Sequence, residues 1–68
     1  MLRKAFEEVA PYISNLSKIK EFVDENEGRN EEEIIRELRE RIDTSEGTLK
    51  TDYRILLNEF EKTLNKRM

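Results

Sequence analysis

The stretch DTSEGTLKTDYRILLNEF, residues 43–60, holds most of the side chains with usable chemistry. Wound as a helix and continued through residue 65, it places Leu49, Tyr53, Leu56, Leu57, Phe60 and Leu64 within about 100° of arc. The opposite face centres on Thr51, Arg54, Ile55, Asn58, Lys62 and Asn65, and it holds no carboxylate. Arginine can contact guanine in two places, asparagine can read an adenine edge, and threonine or isoleucine can touch a thymine methyl. Lys50 and Thr48 stand in the first turns, where side chains reach phosphates and base edges in groove-binding helices. The chemistry on offer is recognition, with no group that makes or breaks bonds.

The rest of the inventory excludes whole classes. There is no Cys and no His, which removes disulfides, zinc fingers, thiol catalysis and imidazole chemistry. Ser14, Ser17 and Ser45 therefore lack a histidine base, and no enzyme or cofactor is expected. The run NEEEIIRELRER is rich in carboxylates, but the Glu-x-x-His pattern of di-iron bundles is impossible here. Glu33, Glu37 and Glu40 are expected to pair with Arg36, Arg39 and Arg41 at helical spacing, and no metal is expected.

A chain of 68 residues is a single domain with a thin core, and chains this small are marginally stable alone. Without cross-links, a second copy is the stabiliser left, so a homodimer is expected, with Leu57, Phe60 and Leu64 at its interface. Charged residues make up 43% and apolar residues 35% of the chain. The apolar ones are periodic, which indicates a folded protein despite the charge content. Abundant Glu with no Gln, Cys, His or Trp leans toward a thermophile composition. No run approaches a membrane span or a signal peptide, and a cytoplasmic protein is expected. The net charge of −3 divides unevenly: residues 1–33 carry 5 basic and 9 acidic side chains, residues 34–68 carry 8 and 7. A nucleic-acid surface would lie in the second half, and a protein partner could dock on the acidic N-terminal half.

Four helical segments must position these groups. Leu2, Phe6 and Val9 mark a short first helix that Pro11 ends or kinks. A second, over roughly residues 12–26, carries Ile13, Leu16, Ile19, Phe22 and Val23 on one face. Gly28 suits the left-handed turn that follows. Asn30 can cap a third helix, with Glu33 reaching back to complete a capping box, and Ile34, Leu38 and Ile42 form its stripe. Ser45 is expected to cap the fourth. The predicted fold is all-α, a compact three- to four-helix domain containing a helix-turn-helix at about residues 30–60.

Residues 37–56, ELRERIDTSEGTLKTDYRIL, resemble the helix-turn-helix of DeoR-type winged-helix regulators through Leu38, Ile42, Ser45, Thr48, Leu49, Lys50, Asp52, Tyr53 and Leu56. No wing follows, because LNEFEKTLNKRM is helical in pattern. The resemblance implies a small sequence-specific DNA-binding protein, a transcriptional regulator acting as a homodimer. The helix from Glu46 would enter the major groove of double-stranded DNA, with Thr48, Lys50, Thr51, Arg54, Ile55 and Asn58 as its contacts. The alternative is a helical interaction or assembly module that does not bind nucleic acid.

Overall fold

The computed structural model describes residues 1–66. It contains four α-helices: α1 (Leu2–Val9), α2 (Leu16–Asn26), α3 (Glu31–Thr44) and α4 (Gly47–Lys66), with a 3₁₀ turn at Ala10–Tyr12 after α1. No strand occurs among the described residues. The all-α expectation holds.

Local chemistry explains most of the boundaries. Pro11 stands in the 3₁₀ turn that closes α1, since it can neither donate to nor fit inside a continuing helix. At the end of α2, Gly28 takes φ +91°, a left-handed conformation that costs glycine little. Asn26 braces that turn. Its Nδ2 donates to the Phe22 carbonyl and its Oδ1 accepts from Arg29 Nη1, both at 2.8 Å. Asn30 caps α3 by accepting from the Glu33 backbone N–H at 2.9 Å. The expected return bond from Glu33 does not form; its carboxylate pairs with Arg29 at 3.1 Å.

The link between α3 and α4 corrects another expectation. Ser45 closes α3, its N–H donating to the Arg41 carbonyl at 2.9 Å, and its backbone is extended. Its hydroxyl makes no hydrogen bond among the described residues. The left-handed Gly47, φ +63°, then turns the chain into α4.

α4 is the central element, with α1 and α3 packed against it. Near the link, Arg41 of α3 meets the Tyr53 hydroxyl of α4 at 3.5 Å. Seven residues further from the link on each helix, Ile34 and Phe60 line one cleft. That interval is about 10 Å of helix, so α3 and α4 run in opposite directions over it. Leu2 of α1 shares the cleft with Phe60, and Ser14 and Asn15, in the link between α1 and α2, reach Asp52.

The core collects Leu2, Phe6 and Val9 from α1, Ile19, Phe22 and Val23 from α2, Ile34 and Leu38 from α3, and Tyr53, Leu56 and Phe60 from α4. Phe22 meets Tyr53 edge-on at 5.6 Å, and the Arg41 guanidinium lies 5.4 Å above the Phe22 ring. Both geometries add to the burial itself. No helix among the described residues is long and apolar enough to cross a membrane.

Candidate interaction surface

The residues expected to form a recognition face are distributed unevenly. Thr51, Arg54 and Asn58 are exposed on α4. The Thr51 hydroxyl folds back onto the Gly47 carbonyl at 3.5 Å. Thr48 is exposed, but its Oγ1 accepts from Asn15 Nδ2 at 3.1 Å. Lys50 is half-buried, and Ile55 is half-buried against the core. Four of the six are therefore exposed, the two threonine hydroxyls among them are engaged within the chain, and Arg54 is the sole cation of the four. Arg54 and Lys62 make no ion pair among the described residues.

The expected dimer residues also need correction. Phe60 is 0% exposed within a single chain, so it offers no surface to a second copy. It sits near the centre of the α4 apolar arc, and α1 and α3 cover that arc from both sides. Leu57 and Leu64 are half-buried against the same core.

Asp52, which the sequence offers only as a match to the DeoR-type pattern, has a structural role that the pattern does not show. It is 1% exposed and belongs to the apolar face of α4, one turn before Leu56. Its carboxylate accepts the backbone N–H of Ser14 at 3.0 Å, the backbone N–H of Asn15 at 2.7 Å and Asn15 Nδ2 at 2.9 Å. Hydrogen bonds to an ionised acceptor are stronger than neutral ones, and here they hold a buried charge that has no cationic partner among the described residues. A carboxylate inside an apolar stripe was the available signal. Its donors lie more than thirty residues upstream, in a segment whose pattern reads as helix.

The consequence is a shift in the start of α2. The Ser14 and Asn15 amides donate to Asp52, which caps the start of the helix from outside, and α2 begins at Leu16 after a non-helical Asn15. Leu16, expected on the core face, is instead 47% exposed, and Tyr12 is 73% exposed. Together with exposed Pro11, they make the turn between α1 and α2 an apolar ledge. From Val9 to Lys20 the chain has no Asp or Glu, while Lys18 and Lys20 are both exposed.

Elsewhere the surface is ionic. Arg3 of α1 pairs with Asp24 of α2 at 2.8 Å and with Glu27 at 3.7 Å. The hydrogen bond from Arg3 holds the Asp24 carboxyl below its ordinary range. Of the pairs expected within α3, Glu37–Arg41 forms, at 3.5 Å. No group of three or more His, Cys, Asp or Glu side chains placed to hold a metal ion occurs among the described residues.

No curated protein and no solved structure matches the chain. The family model that does match is that of the MJ1579 family, over residues 2–65. That span takes in α1, α2 and α3 whole and nearly all of α4, and the chain belongs to the MJ1579 family.

Proposed function

We propose that this protein is a helical interaction module that docks another protein through the turn between α1 and α2. One observation carries the reading: exposed Tyr12 and Leu16 stand on a turn held by three hydrogen bonds to the buried Asp52 carboxylate. An apolar loop with no partner would ordinarily be left loose or made polar. A turn fixed before binding loses less entropy on docking, which favours affinity. Tyrosine adds large contact area with few rotatable bonds and is enriched where proteins meet.

The test is a photo-crosslinking amino acid placed at Tyr12 and, as control, at Glu25 on the exposed side of α2. Position 12 is expected to give a discrete protein adduct in extracts of the native host. Position 25 should not give it, and Leu16→Ser should abolish it. No adduct, or an adduct sensitive to nuclease, would contradict the proposal.

DNA binding is the second reading, favoured by the carboxylate-free outer face of α4 and by the resemblance of residues 37–56 to DeoR-type regulators. Its electrostatics are thin. Duplex binding usually draws on roughly 6–10 phosphate contacts, while the first three turns of α4 direct one free cation outward in a chain of net charge −3. The Asn15–Thr48 bond further restricts access to the first turn of α4. Fluorescence anisotropy with random duplex at low salt separates the readings. The interaction reading expects no binding. Saturable binding weakened by Arg54→Ala would favour DNA.

A further inference from the structure

We draw no further inference here: the strongest candidate, the cleft beside the N-terminus of α3 that Met1, Leu2, Glu27, Glu32, Ile34 and Phe60 line, rests on a helix N-terminus and a group of carboxylates, and nothing in the structure shows what would fill it.

Discussion

Asp52 carries more of the structure than any other polar side chain. Replacing it with Ala would leave two backbone N–H groups and Asn15 Nδ2 without their acceptor. The three hydrogen bonds are only part-buried, so Asp52→Ala is expected to lower stability by roughly 1–2 kcal/mol in chemical denaturation. Ser45→Ala is expected to change it little, because the Ser45 hydroxyl caps nothing among the described residues. Asn30→Ala, which removes a formed cap, should cost about 1 kcal/mol. A larger loss at Ser45 than at Asn30 would mean that α4 starts differently. Asp24 gives a pH test. The Arg3 hydrogen bond lowers its folded pKa, so its small contribution is present above the unfolded pKa and fades as pH falls through the folded value. Carboxyl NMR should show Asp24 titrating at lower pH than in the Arg3→Ala variant, and an unchanged midpoint would contradict the pairing.

At the scale of elements, α4 is expected to be the least tolerant. Phe60→Ala empties a site enclosed by α1, α3 and α4 and should cost about 3–5 kcal/mol. Tyr12→Ser with Leu16→Ser should stay within about 0.5 kcal/mol per site, because those side chains contribute surface and little core. Equal losses at both places would contradict the assignment of the α1–α2 turn as a ledge. The helices themselves were legible, because apolar spacing, Pro11, Gly28 and Asn30 act within a few residues of where they stand. The start of α2 was not. Residues 12–15 suit a helix locally, and they are held out of it by a carboxylate on α4. The same blindness hid the ledge: Leu16 belongs to an apolar pattern whose register changes where residues 13–15 leave the helix. Phe60 was correctly placed on an apolar face, but the face alone does not say whether α1 and α3 or a second copy covers it.

For the whole molecule, one chain closes its own core. The homodimer interface expected from Leu57, Phe60 and Leu64 loses Phe60 to the interior, while Leu57 and Leu64 are half-covered. Sedimentation at micromolar concentration is expected to give the mass of one chain, 8.2 kDa. A mass twice as large would show that Leu57, Leu64 or the ledge is paired between copies. The net charge of −3 acts against self-association. All of this depends on the turn between α1 and α2 being rigid while its apolar side chains are exposed. Backbone ¹⁵N relaxation at Ser14 and Asn15 tests that most directly. Order parameters near about 0.85 are expected in the unmodified chain, falling toward about 0.6 or below in Asp52→Ala; values below about 0.6 in the unmodified chain would contradict a rigid turn.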